Sequence, residues 1–158
     1  MRSYTQEWLC RQIVEGTQEA IIFADRDGLI RLWNVGAEAM FGYSAAEAVG
    51  QSLDLIIPER QRGRHWEGYH KVMATGVTRY GTELLAVPAV RKDGTRISLE
   101  FTIVLFRDEA GQPMGTAALI RDVTARWQQE RALKERLAAL EMKEETEKRR
   151  QGETEKEV

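Results

Sequence analysis

Lys92-Asp93-Gly94-Thr95 followed by Arg96-Ile97-Ser98-Leu99-Glu100-Phe101-Thr102-Ile103-Val104-Leu105-Phe106 decides the fold. The Asp-Gly pair predicts a tight hairpin turn. After it, Ile97, Leu99, Phe101, Ile103 and Leu105 alternate with more polar residues, so one strand face is apolar. A half-buried strand entered through a hairpin belongs to an antiparallel sheet. Downstream, Asp108 to Gln112 predicts a second turn and Pro113 to Thr124 a last strand. Upstream, Tyr80 to Arg91 predicts the partner strand, and Pro88 places it at an edge or a bulge.

Further upstream the pattern repeats once. Ala20 to Ala24 predicts a strand, Asp25-Arg26-Asp27-Gly28 a turn, and Leu29 to Trp33 the returning strand. Between the two strand groups lie helical signals. Asn34 caps a short helix over Ala37 to Phe41. Ser44 with Glu47 forms a capping box before Gly50. His65 to Thr75 predicts a longer helix that ends at Gly76. Residues 4–16 predict a first helix, with Trp8, Leu9, Ile13 and Val14 at helical spacing. The sum is an α+β chain: a five-stranded antiparallel sheet with short helices on one face. The domain boundaries follow: a flanking helix at 1–17, a core at 18–124, a helix at 125–142 and a polar, disordered tail at 143–158.

Composition narrows the function. The chain has 158 residues, 42% hydrophobic and 30% charged, with a formal net charge of −2. Such a balance supplies no field for nucleic acid or an anionic membrane. Arg60, Arg62 and Arg64 form a local basic patch without a stacking platform, so it is read as a solvated face. No run is apolar enough to span a bilayer or to serve as a signal peptide, and the cytoplasm is the expected compartment. Cys10 is the single cysteine, which rules out an intrachain disulfide. No Gly-rich phosphate loop is present, and Ser98 and Glu100 have no histidine near them in sequence. Asp25 to Gly28 lacks the spaced ligands of a calcium loop. The chain is therefore expected not to be an enzyme.

The segment Leu119-Ile120-Arg121-Asp122-Val123-Thr124 joins the last strand to a charged helical tail with no Gly or Pro between them. Beyond it, basic and acidic residues are balanced. Leu133, Leu137 and Leu140 fall at coiled-coil spacing, with Glu130 and Glu144 in the same register. With Trp8 and Ile13 on the first helix, this seam predicts a homodimer.

Asp27-Gly28, Trp33-Asn34 and Ala37-Glu38-Ala39-Met40-Phe41-Gly42-Tyr43 resemble the first half of a PAS domain. Lys92-Asp93-Gly94 and Gly115 to Thr124 resemble the second half. The resemblance covers roughly residues 8–124. It implies a sensory module that relays a ligand-induced change through a helix leaving the last strand, with Asp122 and Thr124 as the coupling pair. It also implies a pocket lined by His65, Tyr69, Val72, Met73, Leu85, Phe101 and Ile103, taking a small ligand or cofactor. The downstream partner is another signalling protein or domain.

Three cofactor branches can be compared residue by residue. The cysteinyl-flavin (FMN) branch needs a cysteine beside the flavin, and Cys10 precedes the core, so that photochemistry is excluded. His65 stands where PAS domains of the rhizobial oxygen-sensor type carry the proximal haem ligand, which makes haem a candidate with His65 on the iron. The branch's distal Arg position is Leu85 here and its distal Met position is Glu83, both departures from an oxygen site. FAD has less support: Trp33 and Trp66 are read as ordinary aromatic packing, and His70 as surface. A third alternative is a dimerisation or docking domain with no ligand.

Overall fold

The computed structural model describes residues 4–78, 81 and 83–154. It divides into two compact units, Met1–Val123 and Thr124–Val158. The first begins with α1 (Gln6–Gly16), capped by the Thr5 hydroxyl on the Trp8 amide. Next come β1 (Ala20–Asp25), β2 (Ile30–Trp33), α2 (Val35–Phe41) and α3 (Ala45–Ala48). A 3-10 turn at Leu53–Leu55 leads to α4 (Glu59–Thr75), and β3 (Leu85–Val90), β4 (Arg96–Arg107) and β5 (Pro113–Asp122) complete the unit.

The five strands form one antiparallel sheet in the order β2-β1-β5-β4-β3. This is the α+β plan anticipated from the alternation. The chain's first and last strands lie side by side at its centre, with Ala20 opposite Ile120 and Asp25 opposite Gly115. On β4, Leu99, Phe101, Ile103 and Leu105 pair with Asp122, Ile120, Ala118 and Thr116. The inner face therefore carries Ala20, Ile22 and Ala24 of β1 and the alternating apolar set of β4. These pack with Ile30, Trp33, Ala37, Phe41 and Ile56 into the main core.

Three boundaries differ from the sequence reading. Helix α4 starts at Glu59 rather than His65. Its first turns are charged and include Gly63, so they show no apolar period. Strand β3 starts at Leu85. Tyr80, where the pattern begins this strand, lies outside the described residues. Glu83 precedes the strand and is exposed, so it does not share a buried face with Leu85 and Val87.

The third difference is in the tail. The second unit is one helix, α5 (Thr124–Thr154). It runs past Met142 to Thr154, within the tail expected to be disordered, whose last four residues, 155–158, lie outside the described residues. Its residues are strong helix formers, and ion pairs one turn apart, Arg126–Glu130 and Arg131–Glu135, line its first half. Among the described residues no helix is long and apolar enough to cross a membrane.

Candidate functional site

Helix α4 carries the site's polar groups. Its interior face presents Gln61, His65, Tyr69, Val72 and Met73, spaced three or four apart. Tyr69 and Met73 are buried against Ala24 in a second, smaller cluster that includes Leu53, Trp66, Val72 and Leu105. The Tyr69 hydroxyl donates to the carbonyls of Asp25 at 2.5 Å and Ala24 at 3.2 Å, fixing α4 to the end of β1. Burial raises the Tyr69 phenol above its usual range.

Trp66 closes one side. Its Nε1 donates to Asp54 Oδ1 at 2.8 Å. Its ring lies over the β1–β2 turn so closely that a Cβ at Gly28 would stand 2.2 Å from it, and Gly28 has φ +77°. Only glycine satisfies both the turn and that approach. Arg62 donates to the carbonyls of Ile57 and Asp54 at 3.1 Å each, so the guanidinium is committed to the loop before α4.

His65 lies edge-on to Trp66 at 4.8 Å and tilted to Tyr69 at 5.8 Å between ring centroids. Desolvation lowers its pKa; the Asp54 carboxylate opposes this and His70 adds to it. The imidazole is therefore neutral at pH 7. Among the described residues its Nδ1, buried, has no hydrogen-bond partner, and neither has the buried Oε1 of Gln61, one turn earlier.

The inner face of β3 and β4 is apolar. Leu85 pairs with Phe101 across β3 and β4, and Ile103 follows on the same face. Toward the turn at 92–95 this face is closed: Ala89, Ile97 and Leu99 are buried. Toward the other end Leu85, Phe101, Ile103 and Leu105 are only half-buried. Phe101 packs with the main core, whereas Tyr69, Val72 and Met73 form the second cluster. The anticipated residues thus fall on two sides, α4 and the β3–β4 face.

The remaining sites are separate. Asp122 ends β5 and pairs with Arg91, and Thr124 begins α5. Trp8 and Ile13 are exposed on α1, and Leu133, Leu137 and Leu140 are exposed on α5. Trp33 is core, packed on Phe41 with Nε1 donating to the Tyr43 carbonyl. His70 is exposed and stacks on Trp66. Sequence reasoning missed Gln61 and Arg91. The first was legible as the residue four before His65; the second needed the tertiary pairing.

A crossed antiparallel sheet with helices and a histidine-bearing helix on one face defines the class of module. The family model described as PAS fold matches residues 14–128, and the chain belongs to that family. The chain is 30% identical over 131 residues to the sensor protein FixL of Bradyrhizobium diazoefficiens, covering 83% of this chain and 26% of FixL. It is 31% identical over 132 residues to the signal transduction histidine-protein kinase AtoS of Escherichia coli K12, covering 81% of this chain and 20% of AtoS. The chain thus spans about a quarter or a fifth of the length of these relatives. Among solved structures, the PAS domain of a Colwellia psychrerythraea protein matches with TM-score 0.65 at 23% identity, over 74% of this chain and 96% of that one.

Proposed function

We propose that the chain is the input module of a cytoplasmic signal-transduction protein. It takes a small ligand between α4 and the inner face of β3 and β4, and passes the resulting change along β5 into α5. It performs no catalysis of its own and acts through a downstream signalling partner. The observation that carries this reading is the uneven cover of the inner face. One end is sealed by Ala89, Ile97 and Leu99, while Leu85, Phe101, Ile103 and Leu105 stay half-buried, and α4, packed on this face through Leu105, holds two buried polar atoms that have no partner among the described residues. Apolar lining with a few convergent polar groups is the composition of a ligand site. Similarity to FixL and AtoS, a sensor and a signalling kinase by name, supports the same role.

The test combines native mass spectrometry of the purified chain with thermal unfolding in the presence of hemin, FAD and a panel of small apolar compounds. A ligand that binds only the folded state raises the unfolding temperature. A chain that is ligand-free by mass, and whose unfolding none of these shifts, favours the ligand-free docking reading.

A second reading is a haem-bound gas sensor, and the observation favouring it is the neutral, half-buried imidazole of His65 with Nδ1 unbonded. The residues fit the group: His65 would hold the iron, and Leu85, Phe101 and Ile103 would form an apolar distal wall. The haem would supply an iron able to take a diatomic gas. The exposure of Glu83 removes a carboxylate that would be costly beside a porphyrin. Hemin addition should then give a Soret band that His65→Ala abolishes.

The chain's own partner in this reading is a second copy. Leu133, Leu137 and Leu140 are 64%, 58% and 60% exposed on α5, in the register of a coiled-coil seam.

A further inference from the structure

Helix α4 enters the fold with four polar side chains in its first two interior turns, and two are accounted for. Arg62 donates to Ile57 and Asp54 carbonyls, and Trp66 Nε1 donates to the Asp54 carboxylate. Gln61 Oε1 and His65 Nδ1 are buried and have no partner among the described residues. Buried polar atoms in folded proteins are nearly always hydrogen-bonded, so an orphan calls for an explanation. Two orphans at i and i+4 lie about 5–6 Å apart at Cβ on one helix face. One is an amide oxygen, which only accepts. The other is a ring nitrogen, which donates when it carries the proton of the neutral imidazole.

We infer that Gln61 and His65 form a recognition pair for a neutral ligand that bears a hydrogen-bond donor beside an acceptor, of the primary-amide or lactam kind, with its apolar body toward Leu85, Phe101 and Ile103. The inference rests on the ligand-sensing reading above and names its ligand class. The ligand's N–H donates to Gln61 Oε1, and its carbonyl accepts from His65 Nδ1. A carboxylate does not suit the pair, because Gln61 offers it an oxygen and the nearby Arg62 is already bound to backbone carbonyls. A purely apolar ligand leaves both atoms orphaned.

The experiment uses three probes of nearly one shape: benzamide with donor and acceptor, acetophenone with the acceptor alone, and ethylbenzene with neither. Each is titrated into the full chain by NMR, following the Gln61 side-chain amide and the His65 ring. Benzamide is expected to bind about tenfold more tightly than ethylbenzene, the scale of one to two net hydrogen bonds, with acetophenone between them. In Gln61→Leu that preference should fall to about even. Without any ligand, Gln61→Leu should unfold at the same or a higher temperature, because it removes an orphaned acceptor, as function-related polar groups often allow. A lowered unfolding temperature would show the amide already bonded, which overturns the pair.

The remaining outcomes separate this inference from the reading beneath it. Equal binding of benzamide and ethylbenzene overturns the pair and leaves a ligand site standing. Tighter binding of benzoate than of benzamide also overturns it. A Soret band with hemin that His65→Ala removes assigns His65 to iron, again against the pair. No binding of any probe, hemin included, overturns both.

Discussion

Arg91 Nη2 donates to Asp122 Oδ2 at 2.8 Å. Arg91 follows β3 and Asp122 ends β5, so the pair reaches across β4 to the residue that precedes the start of α5 by two positions. The amide of Val123, the one residue between β5 and α5, donates to the Ser98 carbonyl at 2.9 Å. The joint inferred from sequence is thus fastened at the sheet side by an ion pair and a backbone bond. The side chains are 37% and 26% exposed, so the pair contributes at most about 1 kcal/mol to stability. Arg91→Ala should therefore change the unfolding midpoint little while raising hydrogen exchange at Val123. If exchange there is unaltered, Arg91 does not restrain the end of β5.

Asn34 is a different kind of residue, because all of its side-chain capacity is used in one place. Its Oδ1 accepts from the amides of Ile21 at 2.8 Å and Ala37 at 3.0 Å. Its Nδ2 donates to the carbonyls of Val14 at 2.9 Å and Glu19 at 3.0 Å. One amide thus caps α2 and ties it to β1 and the end of α1. Asn34→Ala leaves buried partners unbonded and removes an N-cap, and should cost about 2–4 kcal/mol. Urea unfolding measures this. Asn34→Asp keeps the acceptor but not the donors, and should lose a comparable part.

What the sequence disclosed followed from local rules. The turns at Gly28, Gly94 and Gly111 were legible because each needs positive φ, and all three adopt it. The Ser44–Glu47 capping box formed as its spacing required. The β4 face was legible because alternation has a period of two. The first turns of α4 were hidden, because Glu59 to Arg64 has no apolar period and the bonds from Arg62 back to Ile57 and Asp54 leave no mark in the sequence pattern. The end of α5 was hidden for a related reason: a helix polar on every side has no hydrophobic pattern to read. Within the site, the residue types were legible but not which polar atoms go unpaired, since that depends on what Asp54, far from any sequence motif, has already bound.

Tyr69 is the bolt between α4 and the sheet. Among the described residues its hydroxyl is the group on that helix face bonded to β1, through Ala24 and Asp25. Those carbonyls also serve the strand and turn, so Tyr69→Phe should cost only about 1 kcal/mol globally. Its larger effect should be local: exchange of the α4 amides should rise relative to those of β4. Uniform change across both elements would mean that the hydroxyl stabilises the whole unit and does not position the helix.

The pH dependence of stability has a defined sign. Burial depresses the His65 pKa below its ordinary value, with the nearby Asp54 carboxylate opposing and His70 reinforcing the shift. The unfolded chain therefore takes up a proton at higher pH than the folded one. Stability from this source is complete above the unfolded value, near 6.5, and is lost as pH falls through that value toward the folded pKa. His65→Phe should flatten the stability profile between about pH 7 and pH 5, where an unshifted histidine titrates. An identical slope in the variant would place the titrating group elsewhere. The depressed carboxyls do not mimic this effect, since Asp25, with its Arg31 partner, titrates at lower pH.

Helix α5 makes the last prediction, because its length and its surface are at odds. It has 31 residues, and its leucines at 133, 137 and 140 are all more than half exposed. A polar helix without a packed face draws its stability from propensity and short-range ion pairs, which leaves it marginal in water. A second copy aligned along the leucines would bury them and leave Glu130 and Glu144 at the ends of the apolar stretch. Helicity should then rise with protein concentration, and light scattering should report a dimer. Replacing the three leucines with serine should lower both, as should truncation after Thr124. A triple variant that keeps full helicity and mass would mean that the seam is not the dimer contact, and would turn attention to Trp8 and Ile13 on α1.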